Sequence, residues 1–249
     1  MQRYKLTIEY DGAGFVGWQR QKNGLGVQQC LEQAIEKFCS ERVTVFAAGR
    51  TDAGVHALAQ IAHFDIEKAT DSDTVRDALN HHLKDVAVSV LSAEAVGEDF
   101  HARFSAQQRA YVYRIVSRRG PVTLDRGRVW WVPVKLDMAA MHEASQVLLG
   151  NHDFSTFRAA ECQADGPVKT LDAIEVVQAK DIWGDEIHIH VRAKSFLYHQ
   201  VRNFAGSLKL VGEGKWSVDD FKRAFEAADR RKGGPTAPPE GLYFVEVVY

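Results

Sequence analysis

Arg50 and Asp52 stand two residues apart in the run Gly49-Arg50-Thr51-Asp52-Ala53-Gly54-Val55-His56-Ala57. A carboxylate can serve as a nucleophile or steady a developing cation, and a guanidinium can stack on a base and bind phosphate. The run lies between two apolar stretches, residues 43–48 and 59–64, that read as strands. Asp52 is therefore expected on a short connection, where catalytic groups on rigid scaffolds tend to sit. Gly49 and Gly54 would allow tight geometry or close approach of a ligand. On an extended segment the Arg50 and Asp52 side chains point the same way. An isolated Arg-Thr-Asp is more often an ordinary turn, the aspartate bonded to its own backbone.

Other residue types with chemical potential lie further along. Tyr111 and Tyr113 share one face of a strand-like segment with Val112 opposite; such tyrosines either stack on a ligand or fill a core. His188 and His190 have the spacing of two ligands on one strand face, and His81 and His82 are adjacent. Neither pair has a third Cys, Asp or Glu at a recognised ligand spacing, so no metal is expected. Cys30, Cys39 and Cys162 are odd in number and lack a CxxC pair, which suggests neither a disulfide framework nor a zinc knuckle. No GxxxxGK[ST] or GxGxxG run is present, so ATP and NAD are not expected either.

The nine residues around Asp52 resemble the active-site loop of the TruA family of tRNA pseudouridine synthases. The resemblance extends along the chain. Tyr10-Asp11-Gly12-Ala13-Gly14-Phe15-Val16-Gly17-Trp18-Gln19 looks like the family's first strand entering a glycine-rich loop. Phe104-Ser105-Ala106, with Arg109-Ala110-Tyr111-Val112-Tyr113, is similar to its central motif, and Phe196-Leu197-Tyr198-His199-Gln200-Val201-Arg202-Asn203 to the helix with a second arginine. Ala237-Pro238-Pro239-Glu240-Gly241-Leu242 resembles its closing loop. Gln200 stands where a methionine is expected, and Ala110 where a lysine or aromatic residue is expected. By this resemblance Asp52 is the catalytic nucleophile, Arg202 keeps it charged, Arg50 helps displace the target base, and Tyr111 stacks on the flipped uracil. It further implies isomerisation of uridines 38, 39 and 40 in the tRNA anticodon stem-loop, no cofactor, and a homodimer contacting one tRNA.

These residues need elements to hold them. Tyr4, Leu6, Ile8 and Tyr10 alternate with polar residues as a strand with one buried face. Val27, Leu31, Ala34, Ile35 and Phe38 recur at helical spacing. A helix over 74–83 capped by Asp73 and a strand over 86–91 complete the order strand, helix, strand, strand, helix, strand, that of a split βαβ, ferredoxin-like unit. The second half repeats the order with additions: strands over 109–117 and 129–134, a helix over 138–149 capped by Asp137, strands over 171–179 and 186–194, a helix over 198–211, and a last strand over 243–247.

The expected fold is α+β: two ferredoxin-like subdomains, residues 1–105 and 106–249, with adjoining antiparallel sheets and a central positively charged cleft. Net charge is −2 over 249 residues, untypical of an RNA binder. Its distribution is uneven: Arg103, Arg109, Arg114, Arg118, Arg119, Arg126, Arg128 and Lys135 face only Asp125. The segment 65–99, by contrast, is acid-rich. That asymmetry suits one face for phosphates and one acidic back, though solvated surface patterns in the same way. No apolar stretch reaches membrane-spanning length and the first residues lack a signal peptide's apolar core, so a cytoplasmic protein is expected. The rival reading is a non-catalytic RNA-binding module on the same scaffold, which would not need the carboxylate.

Overall fold

The computed structural model describes residues 1–179 and 185–249. In chain order its first elements are β1 (Gln2–Tyr10), α1 (Val27–Cys39), β2 (Phe46–Ala47), β3 (His56–Ile66), α2 (Ser72–Leu83) and β4 (Val88–Val96). There follow β5 (Gln108–Ser117), β6 (Trp130–Val132), α3 (Met138–Ser145), β7 (Gly150–Asp153), β8 (Val168–Gln178) and β9 (Glu186–Ala193). The last are α4 (Gln200–Gly212), α5 (Val218–Glu226) and β10 (Leu242–Val248). The chain divides into two compact units, residues 1–107 with 243–249, and residues 108–242. The closing strand thus clusters with the first unit, not with the half in which sequence order places it.

In the first unit β1 lies between β4 and β3, antiparallel to both, and β2 pairs antiparallel with β3. Parallel to β3, β10 joins it where Tyr243 and Phe244 face His56 and Ala57. The alternation read in β1 is realised: Tyr4, Leu6, Ile8 and Tyr10 are buried. On α1, Val27, Leu31, Ala34 and Ile35 are buried, at the spacing that seats one helix face on a sheet. The strand expected over 43–48 shrinks to two residues. Val45 and Ala48 are the buried members, and a spacing of three is incompatible with strand alternation. Helix α2 begins earlier than expected, because Asp71, not Asp73, accepts the Thr74 amide at 2.8 Å. Asp73 sits in the first turn and pairs with Arg76. Strand β4 starts two residues late, after a turn in which the Val86 amide bonds Leu83 O, and continues to Val96 along the edge of β1.

In the second unit β9 lies antiparallel between β5 and β8, β7 extends β8, and β6 adds parallel to β5. Asp137 caps α3 as expected, accepting the Ala140 amide at 3.0 Å. The core is rich in phenylalanine: Phe157 meets Phe204 at 4.9 Å and Phe221 at 5.8 Å between ring centroids, and Phe154 meets Phe225 at 5.4 Å. Phe221 and Phe225 of that cluster come from α5, a helix absent from the expected elements. Its signal is present: Ser217 and Asp220 form a reciprocal capping box before Phe221 and Phe225, four residues apart on the buried face. Edge strand β7 was also omitted, being short and polar. Among the described residues no helix is long and apolar enough to cross a membrane.

Candidate active site

The Asp52 loop is clamped from three sides within the first unit. From the glycine-rich segment, the Trp18 amide donates to Thr51 O at 3.0 Å, and Gly17 bridges Asp52 across the backbone. Gly17 has φ +111, and a Cβ there would lie 2.8 Å from Thr51 O. Gly12 presses harder, since a Cβ on it would fall 2.1 Å from Val55 O. Only glycine permits this approach. The turn closes through the Val55 amide on Asp52 O at 3.2 Å, with Gly54 at φ +77.

Beneath the loop is a buried polar set. The Tyr10 and Thr51 hydroxyls share a hydrogen bond of 2.8 Å, and Gln60 Nε2 donates to Gly49 O at 2.8 Å. Burial, opposed by bonds to Thr51 and Gln60, pushes the Tyr10 phenol up to about 12, so it stays protonated at neutral pH. Thr51 is buried while Arg50 is exposed and Asp52 half-buried, the alternation expected of an extended segment. Next along, His56 is buried and stacks on Tyr243 at 4.7 Å. Its Nδ1 lies 3.0 Å from the Gly12 amide and 3.1 Å from Asp11 Oδ1. The neutral ring accepts from the amide; an imidazolium would instead donate to the carboxylate.

Tyr111 and Arg202 belong to the second unit. Tyr111, on β5, is half-buried with the Phe196 ring edge-on at 5.2 Å. Tyr113 is fully buried and donates to Pro238 O at 2.7 Å, so it is a core residue that anchors a loop. Burial, with Glu240 adding and Arg202 opposing, holds its phenol well above the usual range. Arg202, on α4, donates from Nε to Ala237 O at 2.8 Å, and the Ala237 amide returns a bond to Arg202 O at 3.1 Å. The 233–238 loop lies so close to α4 that a Cβ on Gly206 would sit 1.7 Å from Pro235 O. Asn203 Oδ1 accepts from Thr236 and Arg230, tying the same loop down. Gln200 is buried and accepts the Leu197 amide at 2.7 Å, which gives its polar side chain a structural task at the start of α4. Arg50 and Asp52 therefore share one loop, while Tyr111 and Arg202 are positioned by separate elements of the other unit.

Of the two β9 histidines, His188 is committed to an ion pair. His188 bonds Glu186 at 2.7 Å, and Arg114 meets the same carboxylate at 2.6 Å. Burial raises Glu186, but the bonds to His188 and Arg114 outweigh it and bring the carboxyl down to about 2. Among the described residues no group of three His, Cys, Asp or Glu could hold a metal ion. The sequence reading assigned no role to Tyr10, Gln60, His56 or Tyr243, the residues that brace the loop.

The first unit thus presents a glycine-clamped carboxylate beside an exposed arginine. The family model described as tRNA pseudouridine synthase matches residues 6–105 and 144–249, and the chain belongs to that family. Those spans contain Arg50, Asp52 and Arg202; Tyr111 lies between them. The tRNA pseudouridine synthase A of Paramagnetospirillum magneticum is 60% identical over all of this chain and 96% of its own length. That of Rhodospirillum centenum is 59% identical with both chains fully covered. That of Rhodospirillum rubrum is 56% identical over 99% of this chain and 87% of its own.

Proposed function

We propose that this chain converts uridine to pseudouridine at positions 38, 39 and 40 of the tRNA anticodon stem-loop. The reaction breaks the bond from uracil N1 to ribose C1′ and makes one from C5 to C1′; C5 loses its proton and N1 takes one up. Atoms and electrons balance within the substrate, so no cofactor is required. We assign Asp52 the role of nucleophile, Arg50 displacement of the base, Tyr111 stacking on the flipped uracil and Arg202 the neutralising charge. Extrusion of the base costs a few kcal/mol, which stacking and phosphate contacts offset. The two halves of the chain each follow a split βαβ plan in this reading, and the working form is a cytoplasmic homodimer.

The observation that carries the proposal is Asp52 itself. Three glycines and a buried hydroxyl pair hold its loop in one geometry, an arrangement with no use in a module that only binds a polyanion. The test is direct. Purified protein is incubated with unmodified tRNA transcript, without metal or nucleotide, and pseudouridine is mapped. Wild type should modify the anticodon arm, and Asp52→Asn should form no product while binding tRNA as well as wild type. Near-normal turnover by that variant would overturn the assignment.

A further inference from the structure

Well away from the Asp52 loop, the first unit exposes an aromatic cluster. Phe104 is 76% exposed and Phe46 47% exposed, the former in the segment after β4 and the latter on β2. Rings connect them: Phe46 stacks on His63 at 5.2 Å, His63 meets His101 at 4.6 Å, and His101 meets Phe104 at 4.3 Å. The Arg103 guanidinium lies 5.7 Å from the Phe104 ring centre.

The segment bearing Phe104 is rigid. His101 N donates to Ser105 Oγ and Ser105 N to His101 O, both at 2.9 Å. His101 Nδ1 accepts the Arg103 and Phe104 amides at 3.1 and 3.3 Å. The Ala102 amide is held by buried His63 at 3.1 Å. A phenylalanine held outward by a fully bonded turn is pre-organised for a partner ring, because little ordering entropy is left to lose.

We propose that Phe46, His101 and Phe104 form a stacking platform for an unpaired nucleobase of the RNA substrate. This rests on the pseudouridine synthase reading and goes beyond it. One base needs one or two exposed rings, whereas a stable protein interface needs about 1,000 Å², far more than these two phenylalanines offer. Arg103 supplies a cation for the flanking phosphate. The nearby acids Asp65 and Glu94 are paired with Arg3 and Lys5, and Glu98 and Asp99 precede the turn. The platform therefore has no strong positive field, and the rings carry the contact. His63 stands on β3 roughly 20 Å from His56 at the strand spacing. The base stacked here is accordingly several nucleotides from the one that reacts.

The experiment compares wild type with Phe104→Ala, Phe104→Leu and Phe104→Trp on unmodified tRNA transcript. Alanine and leucine should raise KM and tRNA Kd roughly five- to a hundredfold, the loss falling on KM rather than kcat. Tryptophan should restore binding. The slope of affinity against salt should not change, since no phosphate contact is removed. An active wild type with leucine binding as well as phenylalanine would overturn the platform alone. A fall in sedimentation mass parallel to the lost affinity would overturn it in favour of a contact with a second copy. A wild type that makes no pseudouridine would overturn the functional reading and the platform with it.

Discussion

The hydroxyl pair beneath the Asp52 loop yields a quantitative test. Tyr10 is 3% exposed and Thr51 8%, with 2.8 Å between their oxygens. Tyr10→Phe leaves the Thr51 hydroxyl buried without that partner, at a cost of about 1–3 kcal/mol. In a domain of this size each kcal/mol lowers Tm by about 2–4 °C. Thr51→Val should cost less, since Gln60 Nε2 still lies 3.5 Å from the Tyr10 hydroxyl. The double variant puts two apolar groups in contact, so its loss should fall short of the sum of the singles by about 1–2 kcal/mol. Urea and thermal denaturation of the four proteins provide the cycle. Single-turnover rates on tRNA provide the functional half. Thr51 adjoins Asp52, so each single variant should slow turnover about tenfold while tRNA affinity holds. The phenol lies near 12, so these effects should be flat between pH 6 and 9. Additive single losses, with no coupling in the cycle, would refute the argument that this bond braces the loop.

Three further outcomes are expected. Arg50→Ala should slow modification of a base-paired uridine more than that of an unpaired one, because the unstacking cost of a few kcal/mol has been removed from the latter; equal defects would leave Arg50 a phosphate contact. Burial, with the charges of His101 and Arg3 adding, lowers His63 from 6.5 to about 4. The unfolded chain then binds the proton first, and stability present above pH 6.5 is lost as pH falls towards 4, by about 3 kcal/mol. Glu186, lowered from 4.5 to about 2, adds a loss at still lower pH, and denaturant midpoints unchanged from pH 7 to 4.5 would contradict the His63 account. Gly206→Ala should force the 233–238 loop off α4, costing about 3 kcal/mol or more in denaturation and weakening the Arg202 anchor on Ala237.

What could be read from the sequence were features with a local signature. The alternation of Tyr4, Leu6, Ile8 and Tyr10 and the spacing of Val27, Leu31 and Ile35 each specify one face of one element, and both faces are buried. Gly49 and Gly54 around Arg50 and Asp52 marked the loop, because tight backbone leaves glycine in the sequence. The bracing of that loop left no such mark. Tyr10 reaches Thr51 across 41 residues, and His56 stacks on Tyr243 from the far end of the chain. Pairings of this kind have no period. At Val45 and Ala48 an apolar run suggested a longer strand than forms, since apolar content alone does not say which residues face inward. Helix α5 went unseen because its acids and bases outnumber its apolar residues, although Phe221 and Phe225 carry its burial.

The return of residues 243–249 to the first unit has a temporal meaning. Tyr243 and Phe244 face β3, the Gln107 amide bonds Val248 O, and the Tyr249 hydroxyl bonds Ala102 O. All of residues 108–242 must leave the ribosome before those contacts can form. At about 5–20 residues per second that is a wait of roughly 7 to 27 seconds. During it β3 keeps an unpaired edge at His56, and His56 lacks the ring that covers it. Chains that stop short of Tyr243 can never close this edge, so fragments should be drawn to chaperones and proteases rather than compete for RNA.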